Sequence, residues 1–350
     1  MGKLINLPIL IIKNKEQKMG ISRHLEWLNK TQEKALEPGL EICDPHHHLW
    51  NFPGSRYLVE EYLEDAGGGH NITKSVFVEC RTSYRTDGPV EMRPVGETEF
   101  IASVTEKANA PGSRTKVAAG IVGFADLMLG DKVSPVLEAL VAAGKGRLRG
   151  IRNMNCWDKD NQIELWTDIP ELLMQPAFRR GFAKLKSYNL SFDAWLFHTQ
   201  IHELTSLARA FPDTTIVLDH IGGPLGVRAY AENRDEVIKK WRKNMAELAK
   251  CPNVVVKVGG LAIKSLGHEW HLLPAPLSSE KLAKEFAPWY LYCIETFGPK
   301  RSMLESNYPV DKRGYSYTVM WNAMKIMTKS FSKTERADLF YNTAVKTYRI

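Results

Sequence analysis

Ile42-Cys43-Asp44-Pro45-His46-His47-His48-Leu49-Trp50 sets three consecutive histidines behind Leu40-Glu41-Ile42-Cys43, a run that reads as a buried strand. Surface histidine tracts sit in polar, flexible sequence, so imidazoles emerging from an apolar strand point to chemistry rather than solvation. Side chains alternate along an extended strand, which predicts that Ile42, Asp44, His46 and His48 face one side. His46 and His48 would then reach a single ion or substrate. His47 would turn away and serve a structural role.

From residue 38 onward one pattern repeats. Strand-like runs at Leu40–Asp44, Ser75–Glu79, Val117–Val122, Leu148–Arg152, Leu190–Phe197, Thr215–Asp219, Val254–Val258 and Ser302–Ser306 alternate with helical patterns. The helices are read at Glu97–Lys107, Val133–Ala143, Pro176–Ser187, Ile201–Ala210, Asp235–Ala249 and within Glu280–Phe297, with Tyr317–Met327 and Lys333–Tyr348 closing the chain. Eight such units without an internal linker predict an α/β fold, a (β/α)8 TIM barrel forming a single domain over residues 38–350. Residues 1–37 are an N-terminal extension with a helix at Ser22–Lys34. Its apolar run Leu4–Ile12 is too short to span a membrane, and Lys13–Lys18 follow it rather than a small-residue cleavage site. Residues 1–18 are expected to be a disordered extension from an upstream start.

In barrels of this kind the site lies at the C-terminal ends of the strands. That rule puts His46, His48, Glu79, Arg152, His198, His220 and Asn307 on one rim, a convergence weightier than any single motif. Composition narrows the partners. The 47 basic residues are interspersed with 40 acidic ones and form no block, so neither nucleic acid nor a membrane surface is indicated. The net charge of +7 favours an anionic small-molecule substrate. Five widely spaced cysteines without a CxxC fit a reducing, cytoplasmic location. A homo-oligomer is compatible with the sequence.

The Asp-Pro-His-His-His-Leu-Trp start, His198 after strand five, Asp219-His220-Ile221-Gly222-Gly223-Pro224 and Ser306-Asn307-Tyr308-Pro309 together resemble the amidohydrolase superfamily. The similarity is to its amidohydrolase-related branch of lactonases and non-oxidative decarboxylases, over roughly residues 38–350. The resemblance implies that His46 and His48 are metal ligands, or ligands of a substrate carbonyl in metal-free lactonases. It implies that His198 is a further metal ligand and that His220 acts as acid/base or binds the reacting group. The branch usually carries Asp at the strand-eight position, where it activates water. This chain has Asn307.

Neutral imidazoles suit zinc, or manganese, with a position left open for water. An amide has no useful basicity, so Asn307 can orient water or donate to an oxyanion but cannot take its proton. The base must come from elsewhere: His220 first, then Glu305 and Asp311, with Glu79 a further candidate. Glu305 shares the inward parity of Asn307 one layer deeper, where it could equally pair with Arg152 or Lys257. Glu79 could instead anchor His46. Arg152 suits a substrate carboxylate, and Trp50, Trp157 and Tyr308 could wall the pocket. Gly222-Gly223 and Gly259-Gly260 lack phosphate-loop spacing and read as tight turns. The expected activity is hydrolysis of a lactone or similar cyclic ester or amide by water attack, with a divalent metal, or with none if the histidines polarise the carbonyl themselves. The alternatives are a metal-dependent decarboxylase of aromatic or unsaturated acids and a non-catalytic ligand-binding barrel.

Overall fold

A computed structural model describes residues 23–350. Eight strands run β1 Glu41–His47, β2 Asn71–Val78, β3 Lys116–Gly123, β4 Leu148–Met154, β5 Ser191–Trp195, β6 Ile216–Leu218, β7 Val254–Val258 and β8 Ser302–Leu304. Each pairs in parallel with the next, in strict sequence order. Right-handed crossovers with helices outside are the stable way to join parallel strands. The helices include α1 Val59–Ala66, α2 Val95–Val104, α3 Ser134–Ala143, α4 Pro176–Lys184, α5 Ile201–Ala210, α6 Arg234–Ala249, α7 Ser279–Phe297 and α8 Tyr317–Met327. This is the single-domain (β/α)8 barrel that the repeated pattern predicts.

The barrel interior changes character along its axis. Its lower layer is apolar, with Cys43, Val76, Val78, Val122, Val217, Val255 and Met303 packed on Ala344 and Tyr348 from the end of the chain. One pleat higher, two residues along each strand, Val255 gives way to Lys257, Val217 to Asp219 and Met303 to Glu305. All three charged side chains are fully buried. The apolar layer closes the bottom, so water and substrate can enter only from the rim.

Closure between β1 and β8 is slender. A single parallel bridge joins His47 to Tyr308, flanked by His48 N donating to Tyr308 O (2.7 Å) and Asn307 N to His46 O (2.9 Å). Asp44 does the rest. Its carboxylate accepts from Ser306 N (3.0 Å), Ser306 Oγ (2.6 Å), Tyr317 Oη (3.0 Å) and Tyr62 Oη (3.3 Å). This placement corrects the simple alternation expected along β1. The register slips between Ile42 and Cys43 and again between Asp44 and His47. Ile42 therefore joins the outer core and Cys43 the inner layer, while Asp44 faces the seam and His46 points into the barrel.

Other boundaries also shift. Ser22 and residues 1–18 lie outside the described residues, and among the described residues the first helix runs over 23–28, ending well before Lys34. The chain after it is tied to α8 instead: Leu36 N donates to Asn322 Oδ1 (2.8 Å), and Lys325 Nζ to the carbonyls of Leu36 (2.7 Å) and Glu37 (3.0 Å). A hairpin of Trp50–Phe52 and Ser55–Tyr57, with α1 behind it, stands at the rim after β1. Too short for a period to show, it was not anticipated. Pro176–Ser187 ends as α-helix at Lys184 and continues as a 3-10 turn.

Asp44→Ala should cost at least about 3 kcal/mol of stability in urea unfolding, because it strands several buried donors at once. Asp44→Asn, which retains one acceptor oxygen, should cost less.

Candidate active site

His46 is the hub, fully buried at the top of β1. Its Nε2 lies 3.3 Å from His48 Nε2, and its ring centroid is 4.5 Å from that of His220. His48 Nδ1 donates to Val78 O (2.8 Å), which fixes its tautomer and leaves Nε2 as a lone pair facing His46. Burial, then the ammonium of Lys257, push the His46 pKa down to about 4, so its ring is neutral at pH 7. His47 turns outward as expected, stacking on Tyr62 with Nε2 2.9 Å from Ser75 Oγ.

The base candidates separate cleanly. His220 Nδ1 lies 2.7 Å from Glu305 Oε1, and the other oxygen of Glu305 is 3.0 Å from His46 Nδ1. Burial alone would raise the Glu305 pKa, but the His220 and His46 rings outweigh it and hold it near 2. Glu305 is thus an anion that orients two imidazoles. Its partners are these histidines rather than Arg152 or Lys257. Asp311 is held in place: it accepts from Asn307 Nδ2 (2.8 Å), Ala262 N (3.2 Å) and Tyr315 Oη, and burial raises its pKa to about 6. Asn307, at φ 53°, orients Asp311 rather than replacing it.

The paired glycines have a job that the sequence did not disclose. A Cβ at Gly259 would lie 2.3 Å from Glu305 Cγ, and one at Gly260 2.6 Å from His220 Nδ1. Gly260 also sits at φ +80°, where a side chain is strained. The strand-seven turn is bare because the His220–Glu305 pair fills its space.

Beneath the histidines lie two buried cations. Arg152 Nε donates to Glu79 Oε1 (3.1 Å), its other end to the Glu79 carbonyl, and NH1 lies 3.4 Å from His46 Nε2 and 3.6 Å from Asp219 Oδ2. Glu79 therefore anchors Arg152, not His46. Lys257 Nζ donates to Asp193 Oδ2 (2.7 Å), is 3.1 Å from His46 Nδ1 and pairs with Asp219 Oδ1 at 3.0 Å. Burial opposes the charged lysine, but Asp193 and Asp219 outweigh it and raise its pKa. Asp193, Asp219 and Lys257 were missed as site residues. The available signal was a lone charge at an inward position in Val254-Val255-Val256-Lys257-Val258 and the acid closing strand six.

Four buried carboxylates (Glu79, Asp193, Asp219 and Glu305) thus face two buried cations (Arg152 and Lys257), a shortfall of two positive charges. His46, Asp219 and His220 bring ligand atoms within 4.8 Å of one another, and Asp219 stands between the two cations, with Oδ1 3.0 Å from Lys257 and Oδ2 3.6 Å from Arg152. The 3.3 Å between the His46 and His48 nitrogens matches the roughly 3.3–3.4 Å separating two ligands on a tetrahedral ion with bonds of about 2.0–2.1 Å. The donor set and the charge shortfall both fit a divalent cation.

His198 stands apart from this group. Its Nδ1 accepts from Leu225 N (3.3 Å) and its ring meets Tyr230 edge-on. Tyr308 is fully buried and its hydroxyl donates to Tyr315 O (2.5 Å), so it braces the seam instead of walling a pocket. Trp50 is half-buried at the rim, stacked over His48 at 6.2 Å.

A family model described as Amidohydrolase matches residues 43–350. The chain is 32% identical over 333 residues to the uncharacterized protein y4mH of Sinorhizobium fredii, covering 89% of this chain and 99% of that one. It is 25% identical to an L-fucono-1,5-lactonase of Burkholderia multivorans, covering 88% and 95%. Among solved structures, an amidohydrolase from Burkholderia multivorans with bound zinc aligns with a TM-score of 0.67 at 23% identity, covering 88% and 99%. A 5-carboxyvanillate decarboxylase from Novosphingobium aromaticivorans, complexed with manganese, aligns at 0.57 and 11%, covering 91% and 100%. At these identities the solved structures show a shared fold.

Glu97 on α2 generates a pH prediction. It accepts from Cys80 N (2.9 Å) and Thr82 N (3.0 Å). Burial, then the charge of Glu79, raise its pKa to about 8. The folded state holds this proton more tightly than the unfolded chain, so its contribution to stability is complete below about pH 4.5 and is lost as pH rises to about 8. Glu97→Gln cannot ionise. In denaturant titrations at several pH values it should remove a decline on the order of 3 kcal/mol between pH 5 and 8.

Proposed function

This chain belongs to the amidohydrolase family, and we propose that it hydrolyses a lactone or similar cyclic ester of a small polar or carboxylated substrate. The observation that carries this reading is the buried His220–Glu305 pair at 2.7 Å, a base placed beside the strand-eight position that Asn307 leaves without one. The lactonase names of the relatives support the substrate class.

Glu305 accepts the Nδ1 proton of His220, which leaves Nε2 with a lone pair. That nitrogen takes a proton from water as the water oxygen bonds to the lactone carbonyl carbon. Charge develops on the carbonyl oxygen toward the guanidinium of Arg152, which Glu79 holds in place. The ring C–O bond then breaks, and the proton on His220 passes to the departing ring oxygen, giving a hydroxy acid and restoring neutral His220. Trp50 forms one wall of the entrance. Because His220 is kept for the proton, a divalent ion would be held by His46, His48 and Asp219, with zinc suited to the donor set. When bound it polarises the carbonyl and lowers the pKa of water.

A panel of sugar and pyrone lactones, followed by acid release with a pH indicator, tests this reading; no release from any of them would overturn it. His220→Asn should lower kcat by about 10²–10⁴-fold with little change in KM. Glu305→Gln should lower kcat less and alter its pH dependence.

A further inference from the structure

Lys257 is a buried cation that the mechanism above does not use. It sits near the C-terminal end of β7, fully enclosed, and reaches three acceptors from three other strands or strand ends. Two are His46 Nδ1 at 3.1 Å and Asp219 Oδ1 at 3.0 Å, two of the three residues that would hold a divalent ion. The third, Asp193 Oδ2 at 2.7 Å, is itself held by Tyr348 Oη at 2.5 Å. The terminal tyrosine thus braces the aspartate that positions the ammonium.

His46 Nδ1 has two competing neighbours, Lys257 Nζ and Glu305 Oε2 at 3.0 Å. An ammonium can only donate and a carboxylate can only accept, so one tautomer of His46 satisfies each. With Lys257 donating, Nδ1 is the lone pair and Nε2 carries the proton, which it can share with His48 Nε2. With Glu305 accepting, Nδ1 carries the proton and Nε2 is free for an ion. Lys257 thus acts against cation binding twice, by fixed positive charge beside Asp219 and by favouring the tautomer of His46 that cannot ligate.

We propose that Lys257 is a resident cation that competes with a divalent ion for His46 and Asp219 and so sets a weak metal affinity for this site. The inference rests on reading His46, His48 and Asp219 as the ion-binding group and not on the identity of the substrate. It makes Lys257 a positioning residue.

The test is Co²⁺ binding to the purified, chelator-treated full chain, read by visible absorption and by the melting temperature with and without the ion. Lys257→Met should bind Co²⁺ at least tenfold more tightly than the wild type, and its lowered melting temperature should recover more on adding the ion. A merely structural role would lower the melting temperature and leave Co²⁺ affinity unchanged. The double variant Asp193→Asn/Lys257→Met removes one charge of each sign, so it guards against misfolding and keeps the net charge of the floor. It should show the same tighter binding. Co²⁺ affinity within twofold of the wild type in both folded variants would overturn the proposal, as would a wild type that already binds as tightly as they do. No substrate enters this measurement, so a wild type inactive on every lactone would remove the proposed activity and leave this result standing.

Discussion

Charge compensation inside a dry barrel is the constraint on which the rest depends. Removing one partner from a buried ion pair costs far more than the pair itself contributes. Glu79 answers Arg152, Asp193 answers Lys257, and Glu305 answers His220 and His46. The apolar layer of Val217, Val255 and Met303 below them excludes the water that could otherwise screen these charges. Asp219 is shared between both cations, with Oδ1 3.0 Å from Lys257 Nζ and Oδ2 3.6 Å from Arg152 NH1.

The same arrangement leaves the floor with a standing demand for positive charge. The floor is short of two positive charges with Arg152 and Lys257 already counted and the His46 ring neutral at pH 7, and a divalent ion would meet that need. The tautomer of His46 is contested at its Nδ1, where an ammonium that donates and a carboxylate that accepts stand at 3.1 and 3.0 Å. Asn307 leaves the strand-eight position without an acid, two residues after the Glu305 that pairs with His220.

Most of the fold was legible because each strand carried its own local signal. Val254–Val258 can hardly be anything but a buried strand, and the rule that barrel sites lie at strand ends placed His46, His48, Arg152 and His220 near one another before any geometry was known. Three things were hidden. The twofold register slip in β1 belongs to its pairing with β2 and leaves no mark on the residues of β1 alone. The Lys257–Asp193 pair joins residues far apart in the chain, and a lone lysine in a valine run has no local feature that names its partner. His198 ends strand five as expected, but its ring faces Tyr230 and its nitrogen is taken by a backbone amide, an outcome decided by the loops over it.

The clasp between β1 and β8 is threaded through the site itself. Asp44 and His46 lie two residues apart on one side, and Glu305, Ser306 and Asn307 are consecutive on the other. Ser306 Oγ bonds to Asp44 and lies 3.2 Å from the carbonyl of His46. A hoop fastened there cannot loosen without tilting the ring that its chemistry depends on. For anyone evolving this scaffold, thermal tolerance and turnover would therefore be one trait at these positions. Changes that relax the hoop would register first as lost catalysis, well before the barrel comes apart.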